Sequence, residues 1–430
     1  MTGAARVRGW RGIVAAFATP SAGTLCILGF GSGLPFLLIG YTLSIWLREF
    51  GMTLGAIGLL SYVTFFYVFK FLWAPLLDRW SAPIAGRLGR RRGWLLLSIL
   101  VLIVALAGMA VTGPEQLTLF VSLAALAGLS GATQDTMVDA YRIEIAPQEA
   151  QAALAATYTL GYRFGLILSG AGALYIASFS SWRMTYLCMA AAMLVPLVTV
   201  LLMREPEALR VRERIKLGAS FIEPFVDFFR SHGLGVAVLI LLFIGLFKLP
   251  DQMLGVIAGP FYVDSGYTKE QIATVSKLYG VWIGIGGAFL GGVSVAALGM
   301  RRSLLIGAFG LALSNLLYVL MALNPGQTWA FVAAISGDNS TLGFAGVVLV
   351  AYLSSLTSLE FTATQYALLS SVSNLPGKLV GGMSGFMVEQ WGYVRFFIFS
   401  SLFIVPTLAL LALLWPHVNV NDDDQIAEQD

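Results

Sequence analysis

Cysteine and histidine are almost missing from this sequence. Its 430 residues hold two of each. Cys26 and Cys188 sit inside long apolar runs, which suits inert core thiols rather than a disulfide or a metal pair. His232 and His417 stand beside span ends and share no zinc spacing, so no metal and no cofactor is expected. Charge is scarce as well: charged residues make up 11% of the chain, against about 25% in a soluble domain. A net charge of +3 over this length offers no basic face to nucleic acid. The phosphate-loop pattern is absent, because Gly377-Lys378 runs into Leu379 where Ser or Thr is required. ATP hydrolysis goes with it.

What is abundant is apolar surface. Hydrophobic residues are 58% of the chain, which excludes both disorder and a water-soluble globule. A bilayer core takes about 20 apolar residues per helix. Hydropathy marks twelve spans, at about 23–47, 54–76, 93–112, 117–141, 149–177, 183–203, 234–262, 268–297, 302–322, 328–357, 362–388 and 392–416. Arg6, Arg8 and Arg11 precede an apolar run too long for a signal peptide, so a retained first helix is expected. The sequon Asn339-Ser340-Thr341 falls inside a span and has no meaning for glycosylation.

The expected fold is an all-α integral membrane protein with twelve transmembrane helices in two pseudo-symmetric six-helix halves. The N-terminal bundle runs over 1–203, a linker over 204–233, the C-terminal bundle over 234–416, and an acidic tail over 417–430. The linker holds six basic and five acidic residues. Within it Phe221, Ile222, Phe225, Val226, Phe228 and Phe229 share a helical face, which predicts a short interfacial helix. With both termini cytoplasmic, inner segments hold seventeen Lys and Arg: three in the N-terminal tail, five after span 2, one after span 4, six after span 6 and two after span 8. The outer ends hold four: Arg48, Arg183, Lys269 and Arg395. That bias is a strong signal for the expected orientation.

The halves repeat weakly. Gly89-Arg90-Arg91-Arg92 follows span 2, and Gly299-Met300-Arg301-Arg302 follows span 8. Span 5 carries Gly161, Gly165, Gly170 and Gly172 with Arg163, and span 11 carries Gly377, Gly381, Gly382 and Gly385 with Lys378. Duplicated halves are common among transporters. The glycines themselves are read as packing, since small residues let helices approach closely in lipid.

Nine ionisable groups remain within spans: Lys70, Arg163, Lys248, Lys277 and Lys378 against Asp135, Asp139, Asp251 and Asp338. Each costs about 2.5–3.5 kcal/mol at a helix centre, so they must pair or line a wet cavity. Depth pairs Lys70 with Asp135, and sets Asp139 beside Arg142 at the mouth. An ion-pair gate and a substrate or proton role fit this group equally. Lys248 and Asp251, three apart, share a face of span 7 and partly neutralise each other. Arg163, Lys277, Asp338 and Lys378 lie nearer mid-membrane on four different helices, as in midplane binding sites. The excess of cations asks for an anionic substrate. No histidine lies in a span, so coupling to protons would need a carboxylate, Asp135 or Asp251. Gln134, Asn339, Gln365, Asn374, Tyr62, Tyr67, Tyr158 and Tyr162 would suit a sugar-sized cavity.

Specific stretches resemble a known family. Asp78-Arg79 with the basic run at 90–92 partly resembles the hallmark loop of the major facilitator superfamily, without its leading glycine and with stretched spacing. Gly29-Phe30-Gly31-Ser32-Gly33-Leu34-Pro35, Tyr67 to Arg79, Gly89 to Trp94, Gln134-Asp135, Asp139-Ala140, Gly161-Tyr162-Arg163, Lys248-Leu249 with Asp251, and Ala363 to Ser370 resemble the AmpG muropeptide permeases of Gram-negative bacteria. The likeness covers nearly the whole chain.

It implies a major facilitator fold in the bacterial inner membrane. It also implies proton-driven import of N-acetylglucosaminyl-anhydromuramyl peptides for cell-wall recycling, with a link to β-lactamase induction. The implied partners are an anionic glycopeptide, protons and the bilayer, and the expected assembly is a monomer. Gln134, Asp135, Arg163, Lys248 and Asp251 match family positions. Asp338 stands where the family carries Glu, and Lys378 where it carries Arg; the latter loses a bidentate fork. The extra C-terminal helices of some members are missing.

The expected substrate contacts are Arg163, Lys248, Lys277, Lys378, Gln134, Asp338, Asn339, Gln365 and Tyr162. Asp135 and Asp251 are expected to couple protons. Lys70, Asp78, Arg79, Asp139 and Arg142 are expected to gate the cytoplasmic side. An acetyl-CoA-transporter-like or other organic-anion carrier is the alternative, although a nucleotide would favour clustered Arg and only Arg163 lies in a span. A membrane enzyme would need a catalytic motif at a span end, and none is seen. A receptor would need an output domain larger than the 30-residue linker.

Overall fold

A computed structural model describes residues 19–83, 85–145, 151–206, 226–356 and 362–418. Among the described residues there are helices and turns and no strand. Ten stretches of the described residues are long and apolar enough to cross a membrane. In chain order the helices are α1 (Pro20–Glu49), α2 (Leu54–Phe69), α3 (Arg90–Thr112), α4 (Leu117–Ile145), α5 (Gln151–Ile167, prolonged to Phe179), α6 (Trp182–Leu202), α7 (Leu234–Asp264), α8 (Lys269–Val295), α9 (Ala297–Leu323), α10 (Thr328–Ser355), α11 (362–391) and α12 (393–417). The short helix is α2. The apolar stretch Leu369–His417 turns at Gly392, whose φ of +75° only glycine adopts freely, and so serves α11 and α12 together. The described helices are consistent with twelve spans.

Contacts divide the chain into two compact units, residues 1–46 with 63–211 and residues 47–62 with 212–430. The end of α1 and the first half of α2 therefore pack with the second unit.

In the first unit α1 and α5 meet backbone to backbone. A Cβ on Gly161 would fall 1.8 Å from the Cys26 carbonyl oxygen, one on Gly29 2.2 Å from that of Tyr158, and one on Gly33 2.2 Å from that of Tyr162. Gly161 and, with a Cβ that would fall 2.4 Å from the Phe30 carbonyl oxygen, Gly165 of span 5 are packing residues here, because helices in lipid gain from such close approach. A similar seam joins α8 to α10 in the second unit, where a Cβ on Gly287 would meet the Ser340 carbonyl at 2.0 Å and one on Gly343 that of Gly284 at 2.1 Å.

The basic run after span 2 is tied down by carboxylates. Gly89 (φ +114°) has no side chain with which to cap α3. The Glu205 carboxylate does so instead, accepting from the backbone N–H groups of Arg91 (2.8 Å) and Arg92 (2.9 Å). A carboxylate suits a helix N-terminus, where backbone N–H groups are unpaired and the dipole is positive. Arg91 makes a bidentate pair with Glu144 at 3.0 and 2.6 Å. Arg92 donates to the carbonyls of Val200 and Leu201 at the end of α6.

The interfacial helix is only partly described, since Phe221, Ile222 and Phe225 lie outside the described residues. Residues 226–232 are helical. Phe228 does not lie on a membrane surface as expected: it is buried in the core of the second unit with Ala237, Ile240, Leu304 and Leu414. Two aromatic neighbours, Phe229 and His232, hold it there. The tail is described only to Val418, which is buried and accepts a hydrogen bond from Arg301. Elsewhere large apolar side chains such as Val104, Phe179, Trp282 and Phe289 point outward, the surface a hydrocarbon solvent covers.

Candidate functional site

In the first unit the expected pair forms. A 3-10 turn at Lys70–Leu72 follows α2. From it the Lys70 ammonium reaches Asp135 of α4 at 2.5 Å and Asp139, one turn on, at 3.6 Å. Asp139 also faces Arg142 at 3.9 Å. The second oxygen of Asp135 accepts from the Tyr158 hydroxyl of α5 at 2.7 Å. Both oxygens of Asp135 are thus engaged, which offsets the cost of holding a carboxylate in a span. The Tyr162 ring lies 6.2 Å from that of Tyr158. Gln134 is fully buried, with neither amide atom hydrogen-bonded; its nitrogen lies against Gly31, where a Cβ would sit 2.8 Å away. Arg163 is exposed and has no ion pair among the described residues. Asp78 and Arg79 end the short helix Ala74–Arg79, and their side chains lie outside what is described.

In the second unit a break in α7 positions the site. Lys248 leaves helical geometry (φ −99°, ψ 2°) between Leu234–Phe247 and Leu249–Asp264. Pro250, which has no N–H to donate, opens the second piece. Discontinuous helices of this kind build transporter sites. Asp251 stands in the first turn after the break and interacts electrostatically with Lys248. Lys277 stands in a π-helical turn, Ile272–Tyr279, and lies within electrostatic reach of Asp338 on α10. Asp251 is within reach of Asp338 as well. Lys248 and Lys277 are thus linked electrostatically through Asp251 and Asp338.

Asp338 has one oxygen 3.3 Å from the Tyr318 hydroxyl, while its other oxygen is buried without a partner. Lys378 is half-buried on α11. The Gln252 side chain donates to Asn374 at 3.0 Å, and a Cβ on Gly377 would collide with it.

Two further expected polar residues make hydrogen bonds to the protein itself. Asn339 donates to the Ile335 carbonyl of its own helix at 3.1 Å. Gln365, nearly inaccessible, donates to Asp227 at 2.9 Å.

Residues counted only as loop charges prove structured. The Asp264 carboxylate accepts from Arg48 Nε at 2.6 Å, Arg48 Nη2 at 2.8 Å and the Tyr393 hydroxyl at 2.6 Å. Lys269 meets Glu49 at 3.2 Å, and Glu389 caps α2 by accepting from Gly55 N–H at 2.8 Å. All of these lie in the second unit. Opposite charges at corresponding span ends were a signal for them. Nothing in the sequence pointed to Tyr262 and Tyr318, whose hydroxyls are 2.8 Å apart.

Comparison with known proteins agrees with this architecture. The model of the Major Facilitator Superfamily matches residues 25–381. "Putative transporter AmpG 4" of Rickettsia conorii is 36% identical over 403 residues, which cover 92% of this chain and 96% of the relative. The "Anhydromuropeptide permease" of Escherichia coli strain K12 is 36% identical over 414 residues, 95% of this chain and 83% of the relative. Among solved structures, a D-xylose-proton symporter superposes with a TM-score of 0.69 at 14% identity, covering 91% of this chain and 97% of that one. That likeness concerns the fold alone. With a family model across most of its length and AmpG relatives at 36% identity, the chain belongs to the major facilitator superfamily and, within it, to the AmpG-type transporters.

Proposed function

We propose that this transporter imports anhydromuropeptides from the periplasm into the cytoplasm, driven by protons, for reuse of cell-wall fragments. The observation that carries the reading is the 36% identity to the Escherichia coli permease over 95% of this chain and 83% of that protein. The charges within the spans support it. Arg163 in the first unit, and Lys248, Lys277 and Lys378 in the second, offer cations to a substrate whose peptide carries carboxylates. Gln134, Tyr162, Asn339 and Gln365 add polar surface for the sugars. Asp135 is a carboxylate placed to couple a proton in the first unit, and the second unit holds Asp251 and Asp338.

The protein sits as a monomer in the bacterial inner membrane with both termini cytoplasmic, the orientation that places the basic loops inside. The N-terminal and C-terminal six-helix bundles are joined by the 204–233 linker, and Lys70, Asp78, Arg79, Asp139 and Arg142 form the inner gate. The test is uptake of labelled anhydromuropeptide into vesicles with and without a proton gradient. Accumulation that survives collapse of the gradient removes the proton coupling. Lack of any saturable uptake removes the substrate.

A further inference from the structure

We propose that Asp338 carries the proton in the second unit, and that Tyr318 and Tyr262 form the hydrogen-bonded chain that delivers it. The proposal deepens the proton-coupled reading above and rests on it. Asp338 lies ten residues into α10 from Thr328, about 15 Å along the helix, hence near mid-membrane. Tyr318 on α9 and Tyr262 on α7 each stand close to the end of their helix, at Leu323 and Asp264. Their hydroxyls are 2.8 Å apart, and that of Tyr318 is 3.3 Å from Asp338 Oδ2. The chain thus runs from mid-bundle towards the Asp264 end, which the proposed orientation places in the periplasm.

A cavity of about 660 Å³ opens at that end, lined by Phe261, Asp264, Ser265, Pro325 and Tyr393 among others. Phe261 borders both the cavity and the chain, with its ring centroid 6.2 Å from those of Tyr262 and Tyr318. In the proposed relay it acts as the plug between water and the first hydroxyl. Both tyrosines are buried, so the chain is shielded from other proton donors.

The transfer balances without a further reactant. When the Phe261 ring turns aside, hydronium from the cavity gives a proton to the Tyr262 oxygen while the Tyr262 hydroxyl proton passes to Tyr318. The Tyr318 hydroxyl proton passes in turn to Asp338. Only O–H bonds break and form, and the net result is one proton moved from water to the carboxylate. The charged groups around Asp338 are Lys277 of α8 and Asp251 of α7. The other helical segments packed on α10 are α9, with Arg301 and Arg302 at its far end, and residues 362–401, with Lys378, Glu389 and Arg395. Asp338 differs from Asp135, whose two oxygens are both taken by Lys70 and Tyr158. One oxygen of Asp338 has no partner, and an added proton has a place to sit.

The test uses the whole protein in proteoliposomes with labelled anhydromuropeptide as probe. Tyr262→Phe and Tyr318→Phe keep ring packing and break the chain. Each should cut gradient-driven accumulation at least ten-fold, while exchange between compartments of equal pH stays within two-fold. Phe261→Ala should raise substrate-free proton leak, read by an internal pH dye. Accumulation at the wild-type level in both tyrosine variants would overturn the relay, and an equal fall in exchange would reduce the tyrosines to packing. A second readout needs no substrate. Infrared difference spectra after a pH jump should show a protonated-carboxyl band that Asp338→Asn removes and Tyr318→Phe shifts. A band unchanged in Asp338→Asn would overturn the assignment even if the muropeptide reading failed.

Discussion

The carboxylate of Glu205 occupies the space where a side chain on Gly89 would stand: a Cβ there would lie 2.3 Å from the Glu205 Cδ. From that place Glu205 caps α3 through the N–H groups of Arg91 and Arg92. Gly89→Ala should therefore do two things at once, displacing the cap and forcing a non-glycine residue to φ +114°. Together these should cost about 2–4 kcal/mol. Heat unfolding in detergent checks it, with Glu205→Gln expected to lose less because its amide oxygen still accepts.

Arg163 is exposed within a membrane span and has no ion pair among the described residues. Removing its charge should leave folding untouched. A charge-assisted hydrogen bond to substrate is worth roughly 1.5–3 kcal/mol. Arg163→Gln should thus weaken apparent affinity by about 10- to 150-fold at normal protein level. Normal affinity in this variant, measured by concentration-dependent uptake, would assign Arg163 to another task.

Lys70 and Asp135 behave as a pair, so single and double changes should not add. Lys70→Met leaves Asp135 with Tyr158 alone and should lower protein level; Lys70→Met with Asp135→Asn should restore it. Asp135→Asn by itself should abolish accumulation against a gradient and reduce exchange less. The comparison requires membrane protein quantity and transport to be scored separately.

Arg48 binds Asp264 with two donors while Tyr393 adds a third. Arg48→Lys keeps the charge and loses the fork. The pair is about a quarter exposed, so solvent screening limits its worth to about 1 kcal/mol. The variant should unfold at slightly lower temperature, and the difference should shrink in high salt.

The fold was legible because hydropathy is additive along a span: twelve apolar stretches and a basic bias need no knowledge of neighbours. The Lys70–Asp135 pair was legible from depth alone, since two helices carried opposite charges at matching heights. The bond from Gln365 to Asp227 was not legible, because Asp227 was counted as a loop charge. Phe228 was read as interfacial because an amphipathic face does not say whether lipid or protein will cover it. The Tyr262–Tyr318–Asp338 chain was invisible, because it depends on which faces of α7, α9 and α10 turn towards one another. Sequence periodicity does not fix such rotations. The capping of α3 by Glu205 joins residues more than a hundred positions apart, and nothing local announces it.

The seam between α1 and α5 has a genetic consequence. Any single-nucleotide missense change in a glycine codon brings in a residue with a Cβ. At Gly29, Gly33 and Gly161 that atom would stand within 2.2 Å of a carbonyl oxygen on the opposite helix. The seam therefore has no neutral one-step neighbours, whereas outward-facing positions such as Val104 or Phe289 can trade one apolar residue for another against lipid. In a random mutant library scored for membrane protein level, losses should concentrate along this glycine line rather than on the much larger apolar exterior.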